Sequence, residues 1–137
     1  MVINQKRKGS GFERDLVKLL NDKIHRSSWK RVPSSGAIGT NMNEPFLTGD
    51  VNGTVESIPK RFKIEAKVGY GGAKQLTLKK EWLEKIIEES GMINAIPMVV
   101  GKFSGSRSRV SEFVVLDFET FAYLINYITE LKGDNNG

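Results

Sequence analysis

Cysteine is absent from the chain, which excludes disulfides, thiol nucleophiles and thiolate zinc sites. There is one histidine, His25, too few for a multi-histidine metal centre or a pair of acid–base histidines. No apolar run approaches the ~20 residues of a membrane span, and the polar amino terminus does not read as a signal peptide. The expectation is a cytoplasmic protein with no membrane association. Acid is in deficit, with 16 Asp and Glu against 21 Lys and Arg, a net charge of +5. That balance favours a polyanionic partner such as nucleic acid, although many small basic proteins bind none. What is present is ordinary for a soluble protein: 39% hydrophobic and 27% charged residues in 137. Such a chain fits one domain, residues 1–137, with a core that needs neither disulfide nor structural metal.

Residues 1–9 read as a basic arm containing Lys6, Arg7 and Lys8. Ser10-Gly-Phe-Glu13 has the form of a capping box, ahead of Phe12, Leu16, Leu19, Leu20 and Ile24 at helical spacing, and predicts a helix over about 11–25. A short strand follows at Trp29–Val32, stopped by Pro33. The stretch 34–49 is rich in Gly, Ser, Asn and Thr and has no period; a loop of that length in a compact domain is more often functional than ornamental. Strands are predicted at about 50–56 and 61–68, then a helix over 76–90 with Thr77 as its cap and Leu78, Trp82, Leu83, Ile86 and Ile87 as its apolar stripe. Strands at 96–100 and 113–116 and a last helix beginning near Asp117 complete the order α, β, β, β, α, β, β, α, a mixed sheet flanked by helices. Residues 133–137 form a polar tail.

The chemistry concentrates in two segments, Thr48-Gly-Asp50-Val and Phe62-Lys-Ile-Glu65-Ala-Lys67-Val. In a strand, Phe62, Ile64, Ala66 and Val68 point one way and Lys63, Glu65 and Lys67 the other. The midpoint between Asp50 and Glu65 falls on Glu56-Ser-Ile-Pro59-Lys, a turn sequence. A hairpin closed there sets the two acids opposite one another, roughly 4.5–5.5 Å apart at the backbone. Carboxylates at that spacing repel unless a cation lies between them, and Mg²⁺ takes one or two carboxylates together with water and phosphate oxygens. The competing reading of Glu65 and Lys67 is a solvated strand face with cross-strand charge pairs, and of Asp50 the start of a strand after a turn. Glu13 has a complete structural role as the partner of Ser10, with or without a place at a metal.

These residues, from the basic start through Glu13, Ser34-Ser35-Gly36, Asp50 and Glu65-Ala66-Lys67 to the following helix and strand, resemble the PD-(D/E)XK nuclease superfamily. Within it, the likeness over residues 6–103 is to archaeal-type Holliday junction resolvases, including versions carried by phages. The residue before the acid is Gly49 rather than the signature proline. The resemblance implies an α/β fold with a restriction-endonuclease-like αβββαβ core, a central mixed sheet flanked by helices, here with an extra carboxy-terminal strand and helix. It implies a homodimer that nicks two strands of a four-way DNA junction with Mg²⁺, for which Mn²⁺ substitutes. By position, Glu13, Asp50 and Glu65 become metal-site acids with the Ala66 carbonyl as a further ligand. Lys67 becomes the catalytic lysine, and Ser34 or Ser35 takes the active-site serine position, with Ser35 counted catalytic.

Lys67 then either positions the attacking water or acts as general base, and positioning is favoured because neighbouring carboxylates hold its proton on. DNA contacts are expected from Lys6, Arg7, Lys8, Arg14, Ser34, Tyr70, Lys74 and Gln75; Tyr70, flanked by glycines, suits base stacking. No predicted helix carries the Arg, Asn and Gln array of a base reader, which fits recognition of branched shape. The alternatives are a nuclease of the same fold acting on flaps, forks or single strands, and a DNA-binding module without catalysis.

Overall fold

The computed structural model describes residues 5–32, 50–69, 74–105 and 107–136, with side chains between 11 and 133. Eight elements follow in order: α1 (Gln5–Lys23), β1 (Ser27–Arg31), β2 (Val51–Val55), β3 (Ile58–Val68), α2 (Lys80–Gly91), β4 (Ile96–Lys102), β5 (Glu112–Val115) and α3 (Phe118–Asn136). The five strands form one sheet in sequence order. Neighbours are antiparallel except β3 and β4, which run parallel and are joined through α2, as a parallel pair requires. The element order and the mixed sheet are those expected from the sequence.

Phe12, Leu16 and Leu20 recur every fourth residue along α1 and bury one stripe against Trp29, Val51, Phe62, Ile64, Ile96 and Val100. That stripe holds the helix to the sheet. Its start corrects the sequence reading. Because α1 begins at Gln5, Ser10 lies inside the helix rather than at its start, and residues 5–9 of the basic arm are helical. The capping box was a coincidence of residue types in a helix that was already under way.

At its other end the chain leaves α1 through Arg26 at φ 54°. Asn21 brackets Trp29 there, accepting from its N–H at 3.0 Å and donating to its carbonyl at 3.2 Å. Trp29 lies flat over Gly53, where a Cβ would stand 2.1 Å from the indole. Only glycine permits that approach.

The turn between β2 and β3 is shorter than expected. Val55 pairs with Ile58, leaving Glu56 and Ser57 as the turn, and the register slips between Gly53 and Val55. Pro59 is part of β3; it precedes Phe62, where pairing with β4 starts, so no ladder bond to β4 is lost. The alternation of β3 is as predicted, but its polar face is not solvated: Lys63 is 0% and Glu65 4% exposed. The reason is α2, which packs across β3 and β4 and buries Ile86 and Val99 along with them. That helix starts later than its predicted Leu76, with Lys79 at the N-cap and no side-chain cap. Leu76 instead packs over Gly69, and Thr77 is exposed. Asp117 caps α3, its carboxylate accepting from the Thr120 N–H at 3.3 Å. Among the described residues no helix is long and apolar enough to cross a membrane.

Candidate active site

The hairpin of β2 and β3 places the acids. Val51 pairs with Ile64, and the Asp50 N–H donates to the Ile64 carbonyl at 2.9 Å. One step further along the ladder sets Asp50 opposite Glu65. The Asp50 carboxylate turns back onto β3 and accepts from the Ala66 N–H at 2.7 Å, which ties the acid to the strand that carries Glu65 and Lys67.

Glu65 is almost wholly buried. Its Oε1 lies 3.2 Å from Lys67 Nζ and its Oε2 3.9 Å from Lys85 Nζ. The second distance is beyond hydrogen-bond reach, and Glu65 Oε2 is buried without a hydrogen-bond partner. Lys67 Nζ also stands 5.1 Å from the centre of the Trp82 ring, a cation–π contact. The ammonium is thus fixed between an acid on its own strand and an aromatic on α2.

Glu13 is buried on α1 and pairs with Arg31 on β1 at 3.5 Å. In the absence of a metal, Asp50 is pushed up from 3.8 to about 7. Burial is the largest cause, the charge of Glu65 the next, and Glu13 adds to it by charge and by hydrogen bond; the Ala66 N–H pulls the other way. Three carboxylates therefore act on one another across the sheet end. They are not a ready-made cage, since among the described residues no group of three or more His, Asp or Glu side chains stands assembled to hold an ion. An acid pair with one unpartnered buried oxygen and one proton held near neutrality is nonetheless a fitting receptor for a hard divalent cation, which supplies the missing positive charge.

Of the residues singled out from sequence, Asp50, Glu65, Ala66 and Lys67 come together, with Glu13 acting on Asp50. Arg14, Lys74 and Gln75 are exposed. Ser34, Ser35 and Tyr70 lie outside the described residues, as do the side chains of Lys6, Arg7 and Lys8. Three contacts were missed. Trp82, expected in the core, roofs Lys67; Lys85 reaches Glu65; and Arg31 pairs with Glu13. The first two were readable in principle, because Trp82, Lys85, Ile86 and Glu89 share one helical face.

The family described as "Phage putative PDDEXK endonuclease" matches the chain over residues 4–132. The protein belongs to this phage PD-(D/E)XK endonuclease family. Its fold is similar to that of the Holliday junction resolvase Hjc from the archaeal hyperthermophile Archaeoglobus fulgidus. The TM-score is 0.51 at 19% identity, over 84% of this chain and 93% of that one. No curated protein matches the sequence. Nucleases of the PD-(D/E)XK type generally work with divalent metal ions, in keeping with the donor set at Asp50 and Glu65.

Proposed function

We propose that this PD-(D/E)XK endonuclease is a Mg²⁺-dependent, structure-selective DNA nuclease that resolves four-way junctions by paired symmetric nicks, acting as a homodimer in the cytoplasm of the host cell. The observation that carries the reading is the opposition of Asp50 and Glu65 across the hairpin with Lys67 held against Glu65. Binding alone does not call for acids facing phosphate, and without a cation they would repel DNA.

The reaction is hydrolysis of a phosphodiester: a water oxygen adds to phosphorus and gives up a proton to solvent, the bond to the 3′-oxygen breaks, and that oxygen takes up a proton from solvent. Asp50 and Glu65, with the Ala66 carbonyl, would hold Mg²⁺ or Mn²⁺. Bound there, the ion supplies an acidified water and neutralises phosphate charge. Glu13, whose charge acts on Asp50 and which is anchored by Arg31, orients that acid. Lys67 positions the attacking water and offsets the negative charge that builds on phosphorus, and Trp82 limits where its ammonium can go. Ser35 contacts the scissile phosphate. Lys6, Arg7, Lys8, Arg14, Ser34, Lys74 and Gln75 grip the backbone, and Tyr70 stacks on a base. Such contacts position the protein without reading sequence.

The test is incubation with Mg²⁺ and a labelled immobile four-way junction beside duplex, flap, fork and single-stranded controls. Paired symmetric nicks in the junction support the reading. Cleavage of flaps, forks or single strands in preference to it reassigns the substrate, and no cleavage with retained binding leaves a DNA-binding module.

A further inference from the structure

Two side chains of α2 reach the site from the helix. Trp82 stands against Lys67 and, three residues on, Lys85 stands against Glu65. The two lysines hold Glu65 differently. Lys67 Nζ is 3.2 Å from Oε1, its side chain is 32% exposed, and it is set against the indole ring. Lys85 Nζ is 3.9 Å from Oε2 with its side chain 58% exposed, and at that distance it makes no hydrogen bond. Oε2 is therefore buried beside a cation and still lacks a donor among the described residues.

A buried carboxylate oxygen without a donor is destabilising, whereas a lysine on an exposed helix face ordinarily pairs with an acid one turn away. Glu81 lies one turn before Lys85 and is exposed, yet the ion pair that forms is the one across to β3. The flexible four-carbon stem of a lysine thus holds a charge over the acid pair without locking it there.

We propose that Lys85 is a second lysine of the active site: it neutralises Glu65 Oε2 in the metal-free protein and moves to an oxygen of the scissile phosphate once a divalent cation takes over Oε2. Reach is sufficient. A phosphate oxygen sharing an ion with Oε2 is no more than two Mg–O bonds, ~4 Å, from it, and rotation about the lysine stem covers that distance. The two lysines differ in task as they differ in hold. Lys67, fixed against Trp82, keeps one position; Lys85, loosely held, exchanges an acid for a phosphate. The inference deepens the metal-site reading given above and rests on it.

The test compares the full-length wild type with Lys85→Gln, Lys85→Arg and Lys80→Gln, the last a control for net charge at an exposed position of the same helix. Mn²⁺ binding to DNA-free protein is followed by electron paramagnetic resonance of the free ion. Removing a half-exposed charge beside Oε2 should tighten Mn²⁺ binding in Lys85→Gln by roughly two- to fivefold; Lys85→Arg and Lys80→Gln should bind as the wild type does. In the same Lys85→Gln protein, cleavage at saturating Mn²⁺ should fall by about 10- to 100-fold, the scale of one hydrogen bond to a charged group, and Lys85→Arg should restore part of it. Cleavage is read in single turnover on whichever labelled DNA the wild type cuts, so the result does not depend on the junction reading. A purely structural ion pair would give looser Mn²⁺ binding and a lower melting temperature instead. Unchanged or looser Mn²⁺ binding in Lys85→Gln, an equal gain in Lys80→Gln, or undiminished cleavage by Lys85→Gln overturns the proposal alone. A wild type that binds no Mn²⁺, or that binds it as well after Glu65→Gln, sinks the metal-site reading and the assignment of Lys85 with it.

Discussion

At the scale of single residues, the described partners of Asp50 include no cation. Its partners among the described residues are the Ala66 amide and two carboxylates, so burial and like charge hold a proton on Asp50 well above the usual carboxylate range, and the proposed metal-bound state is the one in which it is lost. The sign of the resulting pH dependence follows. An acid raised from 3.8 to about 7 in the folded state keeps its proton where the unfolded chain has released it, so stability is greatest below the lower value and falls as pH rises towards the upper one. In metal-free protein, Asp50→Asn should therefore melt progressively higher than the wild type as pH goes from 4 to 7, with no further gain above that. Thermal melts of both proteins in a pH series check this, and a difference that is constant with pH refutes it. Added Mg²⁺ should reverse the order at neutral pH, since only the wild type retains the acid pair. For activity, Asp50→Asn, Glu65→Gln and Lys67→Ala should each lower junction cleavage by at least ~100-fold, the scale of losing one charge-stabilising group, while gel-shift affinity for the junction persists. Retained cleavage in these variants removes the proposed site.

At the scale of elements, the hairpin was legible because β3 alternates strictly between apolar and polar residues, and the register then follows from where the turn must lie. The turn itself was placed too late: Pro59 reads as a turn residue, yet it is accommodated in β3 ahead of the β4 pairing. The burial of the polar face was not legible at all, since it depends on where α2 lies rather than on β3. The start of α1 was hidden by Ser10 and Glu13, which have the right types and spacing for a cap but sit mid-helix. That correction simplifies Glu13. With no capping role to lose, Glu13→Gln should reduce cleavage without a large change in melting temperature, and an equal loss of both would assign it to stability through Arg31. Gly53 offers the opposite case, a residue remote from the chemistry that the fold cannot replace. A Cβ there meets the Trp29 indole at 2.1 Å, so Gly53→Ala should cost about 1–3 kcal/mol, measured by denaturant unfolding.

At the scale of the whole molecule, charge and metal act together. The chain carries a net charge of +5, and the proposed phosphate contacts of Lys6, Arg7, Lys8, Arg14, Arg107 and Arg109 would release counterions. Log affinity should then fall with log salt by ~0.9 for each phosphate neutralised. Removing residues 1–8 takes away Lys6, Arg7 and Lys8 and should flatten that slope by about 2–3, as read from junction binding across a salt series; an unchanged slope excludes the amino-terminal segment from the contact. Chelation with EDTA should abolish cleavage but not junction binding, and Mg²⁺ or Mn²⁺ should restore it. Loss of binding on chelation would place the ion in recognition rather than in hydrolysis.

The run from Asp50 to Lys67 holds the acid pair, the lysine and the amide that tethers one acid to the other's strand. The heart of the proposed cutting edge is thus a continuous piece of chain, backed by Glu13 from α1, like a blade set in a handle. Surrounding segments can be exchanged, lengthened or recharged to grip a different shape of DNA while the blade stays whole, so retargeting such an enzyme is a matter of redesigning the handle.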